Sequence, residues 1–364
     1  IFCLFAGRRL HNTQIREHGP WSCPVQKPGG NGINSGGNRS YVAPLMRAAL
    51  AVGVDAIFAE VHPNPDMAFS DAANQLHLDS IHTILEQAVT IDDIIKNALI
   101  EDGAFDDITT NSILNGNEQG TCDIIFKENG ILCGIEVFKR VFYIMGEVEV
   151  SFLFEEGTFI KKGSLVGKLK GSCAKILSGE RVALNLLQKM SGIASTTFNI
   201  VTELKDTNIK IADTRKTTPN LRYLEKYAVT VGGGINHRYN LSDMAMIKDN
   251  HIKAAGSITN AVNAIRASHP FVKKIEVECE SIDEVKEALN AKSDIIMLDN
   301  MDYETMKTAT SLIGDKAIVE VSGNITIEKI KNLKDLKIDY FSSGALTHSV
   351  IATDISMKNL IRIN

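Results

Sequence analysis

The chain lacks the features of several protein classes. Its six cysteines in 364 residues form no C-x-x-C pair and no disulfide-like spacing, which argues against a zinc site and favours a reducing compartment. No apolar run approaches the roughly 18 residues of a membrane span. The net charge of −5 is unlike the basic surface of a nucleic-acid binder. We therefore expect a cytoplasmic protein that binds neither membranes nor nucleic acids.

A serine–histidine–acid pattern and a reactive cysteine are also missing, so covalent catalysis is not indicated. The length allows two or three domains, and the 44% hydrophobic and 23% charged contents are ordinary for a globular protein. One stretch departs from the acidic average. Residues 213–251, "DTRKTTPNLRYLEKYAVTVGGGINHRYNLSDMAMIKDNH", gather arginines and lysines around a glycine run. A local basic cluster of this kind suits a small anionic ligand.

The pattern of apolar residues predicts two kinds of sheet. Between residues 90 and 180, a helix in "TIDDIIKNALIEDG" precedes short strand-like runs separated by glycines, which predicts a small antiparallel sheet. A long helical pattern, "CAKILSGERVALNLLQKMSGIASTTFNIVTEL", follows. From residue 210 onward, strands alternate with helices, and the last four begin near 274, 294, 317 and 339. That rhythm predicts βα units in a parallel barrel or sheet.

Each of these later strands ends in polar residues or glycine: TRK, KDNH, EVECE, LDN, SGN and SSG. In an α/β barrel such ends open on one face, where active sites lie. We therefore expect these residues to converge.

The acids of this face come from neighbouring strands. In "KIEVECE", alternation places Glu276, Glu278 and Glu280 on one side, and Asp299 ends the next strand. A solvated edge strand is one interpretation. A central parallel strand is normally apolar on both faces, however, so its charges need a metal or a cationic partner. Oxygen ligands together with phosphate suit Mg²⁺ better than zinc.

Four cations lie at strand ends or in the loops beside them: Arg215, Lys216, Arg238 and Lys248. Arginine forks bind carboxylates and phosphates bidentately, and His237 can add a donor. We interpret Lys226 and Lys253 as solvated surface charges that bind no ligand, and we assign a structural role to Lys226 and Arg222. Glycines in "SGN" (322–324) and "SSG" (342–344) follow the last two strands, the usual phosphate site of a barrel. Together these sets predict one ligand with carboxylates, another with phosphates, and transfer between them by positioning.

Residues from about 88 to 364 resemble the quinolinate phosphoribosyltransferase family. The motifs are "EDGAFDDITT", "GERVALNLLQKMSGIAS", "DTRKTTPNLRYLEKYAVTVGGGINHR", "MIKDNHI", "IEVECES", "IIMLDN", "VEVSGNI" and "SSGALTHS". The resemblance implies α/β and α+β parts: an open-faced sandwich domain (88–183 plus about 349–364) and an incomplete α/β barrel (184–348). It also implies a homodimer or a higher assembly.

The resemblance further implies a reaction. Quinolinate and phosphoribosyl pyrophosphate, with Mg²⁺, would give nicotinate mononucleotide, pyrophosphate and CO₂, a step of NAD biosynthesis. The positions that match the family's quinolinate-binding residues are Arg215, His237, Arg238 and Lys248. Those that match residues serving phosphoribosyl pyrophosphate and its metal are Lys216, Glu278 and Asp299, with Glu278 and Asp299 as the metal-binding acids. The matches to its phosphate contacts are Ser322, Gly323 and Gly344. Arg181 matches an arginine that reaches into the neighbouring subunit's site.

The first 87 residues are not similar to that family. Residues from about 25 to 87 resemble a C-terminal fragment of 3-deoxy-manno-octulosonate 8-phosphate synthase, and Glu60 and Asp71 match two of its metal ligands. Cys23 stands where its histidine ligand should be, and most of the synthase barrel is missing. We interpret residues 1–27 as out-of-frame translation and 28–87 as an orphan barrel fragment joined from a neighbouring gene, and we expect no synthase activity.

Two other functions stay open. A paralogue of the family could act on another pyridine or carboxylate, and a non-catalytic protein could sense phosphoribosyl compounds. The full set of donors favours quinolinate, since two carboxylates need that many. The presence of Glu278 and Asp299 argues against a sensor, which would lose its acids first.

Overall fold

The computed structural model describes residues 91–363 and four two-residue strands nearer the N-terminus, in two compact units, Ile1–Phe105 and Asp106–Asn364. In the first unit, the described elements are β1 (Leu4–Phe5), β2 (Ala56–Ile57), β3 (Val61–His62), β4 (Leu76–His77) and helix α1 (Ile91–Glu101). Strands β1 and β2 pair antiparallel, and β3 and β4 pair parallel. Helix α1 confirms the helix predicted in "TIDDIIKNALIEDG", and its N-terminal Asp92 and Asp93 complement the helix dipole.

Several predictions concern residues outside the described part of the chain. These are the helices in "SYVAPLMRAALAVG" and "LDSIHTILEQAVT", and the positions Cys23, Glu60 and Asp71. Of the strand predicted in "VDAIFAEVHPNP", the described portions are β2 and β3.

The second unit contains two main sheets. Its strands are β5 (Gln119–Phe126), β6 (Gly130–Ile131), β7 (Val148–Phe152), β8 (Phe159–Ile160), β9 (Leu165–Ser172), β10 (Lys210–Ala212), β11 (Ala245–Ile247), β12 (Ile275–Cys279), β13 (Ile295–Asp299), β14 (Ile318–Ser322), β15 (Tyr340–Ser342) and β16 (Ile355–Ile363). Its helices are α2 (Ile108–Ile113), α3 (Ile135–Met145), α4 (Cys173–Leu204), α5 (Arg222–Val231), α6 (Asp249–Ala255), α7 (Ile258–Ser268), α8 (Ile282–Asn290), α9 (Tyr303–Ile313), α10 (Ile327–Leu333) and α11 (Ala345–His348).

The first sheet confirms the predicted antiparallel sheet. Its order is β16-β5-β9-β7, so the last strand of the chain returns to pair with β5. Along β5, alternate residues Cys122, Ile124 and Phe126 are buried, as expected for a sheet with one face on the core. Strands β6 and β8 form a separate antiparallel pair.

Helix α4 spans the run predicted to be helical. It begins after Ser172, whose hydroxyl accepts a hydrogen bond from the Lys175 amide (3.4 Å) and caps the helix. The helix contacts strands of the antiparallel sheet and also β10 of the second sheet. It therefore connects the two halves of the unit.

The second sheet is parallel throughout, in the order β10-β15-β14-β13-β12-β11. It confirms all six predicted strands. In register, Asp299 lies opposite Ser322 and Ala212 opposite Ser342. Ile235, just after the glycine run, forms a parallel bridge with Ala212, which brings that loop to the edge beside β10. Because every strand runs the same way, the polar strand ends share one edge. Within the described residues, no helix combines the length and the apolar character needed to cross a membrane.

Candidate active site

The base of the site is a buried ion pair that the sequence does not predict. Asp213, directly after β10, is 0% exposed, and its carboxylate accepts a hydrogen bond from the ammonium of Lys226 on α5. Oδ1 of Asp213 also accepts from the His237 amide (2.9 Å). The interpretation of Lys226 as a solvated charge is wrong, because its side chain is 2% exposed. Its structural role is confirmed, because the ammonium also donates to the His237 carbonyl oxygen (3.0 Å).

Burial is the largest influence on the pKa values of both Asp213 and Lys226. It raises the pKa of Asp213 to about 6, although the Lys226 charge and hydrogen bond lower it. It lowers the pKa of Lys226, against the attraction of Asp213. The pair thus fixes the loop of His237 to the end of β10, at the cost of keeping two charges away from water.

The imidazole of His237 faces two buried carboxylates. Its Nε2 lies 3.1 Å from Oε2 of Glu276 on β12 and 3.4 Å from Oε2 of Glu320 on β14. The two glutamates are 0% and 2% exposed. Burial would lower the pKa of His237, but hydrogen bonding to the two carboxylates outweighs burial and raises it. Burial also raises the pKa of Glu276, while His237 opposes that shift.

This arrangement settles how the acids of "KIEVECE" are neutralised. Glu276 faces the His237 imidazole and lies within reach of the Arg238 charge, which lowers the pKa of Glu276, so a cation accompanies this charge inside the parallel strand as expected. Glu280 does not belong to the acidic face: β12 ends at Cys279, and Glu280 is exposed. Glu320 was missed in the sequence, although a charged residue inside the buried run "IVEVS" gives the same signal as Glu276.

Two arginines lie close together beside His237. Burial lowers the pKa of Arg238, and the charge of Arg215 lowers it further. Nη1 of Arg238 donates to the Met244 carbonyl oxygen (3.1 Å). Nε of Arg215 is buried without a hydrogen-bond partner among the described residues. Two guanidinium groups that repel each other and leave a donor unused form a site for an anion.

Lys248 and Glu278 form an ion pair at the neighbouring strand ends. Lys248 follows β11, and its ammonium contacts Oε2 of Glu278 on β12. The Lys248 side chain is 42% exposed, whereas that of Glu278 is 13% exposed. A carboxylate ligand at Lys248 would therefore share the ammonium with Glu278.

Asp299 occupies the end of β13. One oxygen accepts from the Ser322 hydroxyl, and the other from Nδ2 of Asn300 (2.9 Å). Gly323 is in the left-handed region (φ 87°), and a Cβ there would lie 2.1 Å from Oδ1 of Asn300. Nζ of Lys329, which sequence reasoning missed, donates to the Gly323 carbonyl oxygen (2.6 Å). The Gly323 backbone and the Lys329 ammonium thus lie together beside Asp299. A phosphate group is bound by this combination of backbone amides and a positive charge.

Lys216 lies against the next strand end. A Cβ on Gly344 would be 2.6 Å from Cδ of Lys216 and 3.0 Å from Cδ2 of His348. The Lys216 carbonyl oxygen accepts from the Thr347 hydroxyl (2.7 Å). A side chain at residue 344 would therefore displace the Lys216 side chain or the His348 ring from their present positions.

Two other basic residues have structural or surface positions. Arg222 donates to the Thr217 hydroxyl (3.0 Å) and the Tyr239 carbonyl oxygen (3.1 Å), which confirms its structural role. Lys253 is a largely exposed partner of Asp249 (3.1 Å), which confirms it as a surface charge.

Arg181 is far from this group along α4. Gly232, in the glycine run, packs against Ala194 of that helix. Arg181 precedes Ala194 by thirteen residues, which is about 20 Å along a helix axis, and its side chain is exposed. The structure brings the other predicted site residues to one sheet edge, but not Arg181.

The fold and site define a parallel α/β protein whose strand ends form a basic site for small anions beside two acids. Family models match two adjoining parts: "Quinolinate phosphoribosyl transferase, N-terminal domain" over residues 107–191 and the C-terminal domain of the same name over 193–358. The chain belongs to the quinolinate phosphoribosyl transferase family. Residues 24–97 match the DAHP synthetase I family, which agrees with a synthase fragment near the N-terminus.

Several bacterial proteins are similar to this chain over most of their own length. A probable carboxylating nicotinate-nucleotide pyrophosphorylase of Bacillus subtilis is 43% identical over 265 residues, which are 72% of this chain and 91% of the relative. The crystal structure of NadC from Streptococcus pyogenes is 49% identical, with a TM-score of 0.72, and the match covers 75% of this chain and 97% of that one. The crystal structure of nicotinate-nucleotide pyrophosphorylase from Ehrlichia chaffeensis is 39% identical, with a TM-score of 0.72. The match covers 75% of this chain and 99% of that one.

Proposed function

We propose that the protein is a decarboxylating quinolinate phosphoribosyltransferase. It transfers the phosphoribosyl group of phosphoribosyl pyrophosphate to quinolinate, and releases pyrophosphate, CO₂ and nicotinate mononucleotide. The observation that carries this assignment is the pair Arg215 and Arg238, two close guanidinium groups with an unused buried donor. A planar dicarboxylate supplies the charge and the acceptors that this pair lacks.

The second substrate fits the adjoining strand ends. Lys216 beside Gly344, and Lys329 beside Gly323, offer cations where backbone approaches closely. Ser322 completes this edge through its hydrogen bond to Asp299. We assign the phosphates of phosphoribosyl pyrophosphate to this edge, and the quinolinate to the edge of Arg215 and Arg238.

Glu278 and Asp299 fit a magnesium ion in charge and in donor type. Both are carboxylates at neighbouring strand ends, and oxygen ligands are what Mg²⁺ prefers. Oε2 of Glu278 contacts the Lys248 ammonium, and the two oxygens of Asp299 accept from Ser322 and Asn300, so each carboxylate is already held in place by a protein donor. When bound, the ion would screen the negative charge of the pyrophosphate leaving group.

The chain's own residues then account for the chemistry. Arg215 and Arg238 hold the carboxylates and so orient the pyridine nitrogen toward the anomeric carbon of the ribose. Departure of pyrophosphate leaves positive character at that carbon, which Glu278 and Asp299 stabilise. After the pyridine nitrogen attacks, the bond from the ring to the adjacent carboxylate breaks and CO₂ leaves. The electron pair stays on the ring carbon beside the positively charged nitrogen, and a proton from water then takes the place of the carboxylate.

We describe the parallel sheet as an incomplete α/β barrel and the antiparallel sheet as an open-faced sandwich domain. Support comes from the order of the six strands, with β10 and β11 at opposite ends. Among the described residues, the sheet continues beyond β10 only through the bridge of Ile235 to Ala212. Along β5, every second residue is buried, which supports a sheet that packs against the core on one face and is open on the other.

A quinolinate-dependent assay of pyrophosphate release tests the function. We expect release with quinolinate but not with nicotinate, which lacks the second carboxylate. Arg238→Ala should weaken apparent quinolinate affinity by about 100-fold, since a bidentate charged contact is lost. Binding of phosphoribosyl pyrophosphate without any release would favour the sensor, and turnover of a different pyridine would favour the paralogue.

We also propose that Arg181 serves the site of a second subunit in a homodimer or a higher assembly. Its exposure and its distance along α4 from the glycine run support a role outside its own site. Arg181→Ala and Asp299→Asn should each be nearly inactive, whereas mixing the two proteins should restore activity through hybrid dimers. A mixture as inactive as its components would contradict this proposal.

The N-terminal segment is proposed to add no synthase activity, because its family match ends at residue 97 and Cys23 replaces a histidine ligand. An assay for condensation of phosphoenolpyruvate with arabinose 5-phosphate tests this, and product formation would contradict it. A cytoplasmic location is supported by the four described cysteines, which are all free and buried.

A further inference from the structure

Two buried glutamates have no part in the reaction as derived above. Glu276 on β12 and Glu320 on β14 flank the intervening strand β13, and both approach Nε2 of His237, at 3.1 and 3.4 Å. Both oxygens of Glu276 and Oε1 of Glu320 are buried without a well-aligned hydrogen bond among the described residues. Burying two carboxylates without good hydrogen bonds is unfavourable in free energy, so their presence needs an explanation.

His237 itself is fully used by the protein. Its amide donates to Asp213 (2.9 Å) and its carbonyl oxygen accepts from Lys226 (3.0 Å). Its Nδ1 accepts from the Arg238 amide (2.8 Å), and its Nε2 faces the two carboxylates. Each polar group of this residue therefore has a protein partner before any ligand arrives.

The partners define which ring nitrogen carries the hydrogen. Nδ1 faces a donor, the Arg238 amide, while Nε2 faces two acceptors. A hydrogen on Nδ1 would point at the hydrogen of the Arg238 amide, whose nitrogen lies 2.8 Å away. The tautomer with its hydrogen on Nε2 satisfies both sides. The ring is then a rigid link from the carboxylates to the backbone of Arg238.

We propose that Glu276 and Glu320 are positioning residues of the quinolinate pocket: they orient the His237 ring, which fixes the backbone of Arg238 through Nδ1. This inference rests on the assignment of Arg238 to quinolinate. Both ends of Arg238 are held in this way, its amide by His237 and its guanidinium by the Met244 carbonyl oxygen (3.1 Å). A displacement of about 1 Å in such a group is enough to impair binding.

The first test compares Glu276→Gln and Glu320→Gln with the matched control Glu280→Gln, an exposed glutamate beyond the same strand. Each change removes charge with little change in size. We expect the KM for quinolinate to rise about 10-fold in the two buried variants. The KM for phosphoribosyl pyrophosphate should stay within about 2-fold, and the control should match wild type. Equal losses for both substrates, or no loss, would overturn the proposal.

The second test asks whether the effect passes through His237. In a His237→Asn background, Glu320→Gln should add no further loss of quinolinate affinity, since the link is already broken. Full additivity would contradict the proposal. If Glu320→Gln fails to fold, as judged by circular dichroism, Glu320→Asp takes its place, because it keeps the charge and withdraws it from Nε2.

A third test observes the His237 ring directly in folded wild-type protein. Nitrogen-15 NMR of labelled histidine, assigned with His237→Asn, should show Nε2 protonated and Nδ1 unprotonated at pH 7.5. A proton on Nδ1 would overturn the link to Arg238. The three ligand atoms of the cluster lie within 4.8 Å of one another, a spacing that a metal could also use. Quinolinate binding measured without Mg²⁺ should therefore be the same with and without EDTA. A loss of binding in EDTA that added zinc restores would contradict the proposal, because it would show that the cluster holds a metal.

These outcomes separate the inference from the proposed function. If wild type does not turn over quinolinate, the function fails, while the NMR experiment still reports on the link. If wild type turns over quinolinate and the glutamine variants keep its affinity, only the positioning role fails.

Discussion

Replacement of Lys226 by methionine tests the buried ion pair under the site. Asp213 is 0% and the Lys226 side chain 2% exposed, so methionine would leave a carboxylate inside the protein without its cation. Removing one partner of a buried pair typically costs about 3–5 kcal/mol. Urea slopes increase with protein size, and a slope of about 3 kcal/mol per molar converts this loss to a fall in the midpoint of about 1–2 M at pH 8.

Two comparisons make this measurement specific. Lys253→Met removes an exposed ammonium paired with Asp249, and its urea midpoint should not change measurably. The double variant Asp213→Asn/Lys226→Met should recover most of the loss, because the amide still accepts from the His237 backbone while no charge is stranded. Far-UV circular dichroism in urea gives each midpoint.

The pH dependence of the loss has a defined sign. The pKa of Asp213 is raised to about 6 by burial, above its ordinary 3.8. Between these values the folded protein binds a proton that the unfolded chain does not, so the contribution of this group to stability rises as pH falls through 6. Without Lys226 the pKa lies higher still. The difference in urea midpoint between Lys226→Met and wild type should therefore be smaller at pH 5.5 than at pH 8. A midpoint within about 0.5 M of wild type at pH 8 would refute the reasoning.

Two further changes probe the edge assigned to phosphoribosyl pyrophosphate. Gly323→Ala should raise the KM for that substrate at least about 10-fold, because the new Cβ would lie 2.1 Å from Oδ1 of Asn300. Gly314→Ala has a similarly unfavourable positive φ (55°) but open space, so it should lower stability and leave the KM unchanged; equal KM values for the two variants would contradict this. Glu278→Gln should weaken the apparent Mg²⁺ affinity in pyrophosphate release by about 10-fold or more, whereas Glu280→Gln should not. An unchanged Mg²⁺ dependence would remove Glu278 from the metal site.

Periodicity was sufficient to predict that the polar strand ends share one sheet edge, where the candidate site lies. Strands in βα units run parallel, so the polar residues that end them meet whatever their separation in sequence. Lys216 and Gly344 meet in this way, although more than a hundred residues separate them.

The buried charges could not be predicted in the same way. Whether Lys226 turns inward depends on the docking of α5, and no short-range pattern distinguishes it from the exposed Lys253. Glu320 and Glu276 converge on His237 because β14 and β12 both turn a glutamate toward one loop. Such pairings are tertiary contacts, and propensity and spacing do not determine them.

The most direct test of the central claim is the stoichiometry of the reaction. Quinolinate labelled with ¹⁴C in the carboxylate adjacent to the ring nitrogen would be incubated with the protein, phosphoribosyl pyrophosphate and Mg²⁺. The account predicts one labelled CO₂ for each pyrophosphate released, with both products absent when either substrate is omitted. Pyrophosphate release without labelled CO₂, or no reaction with quinolinate at all, would contradict it.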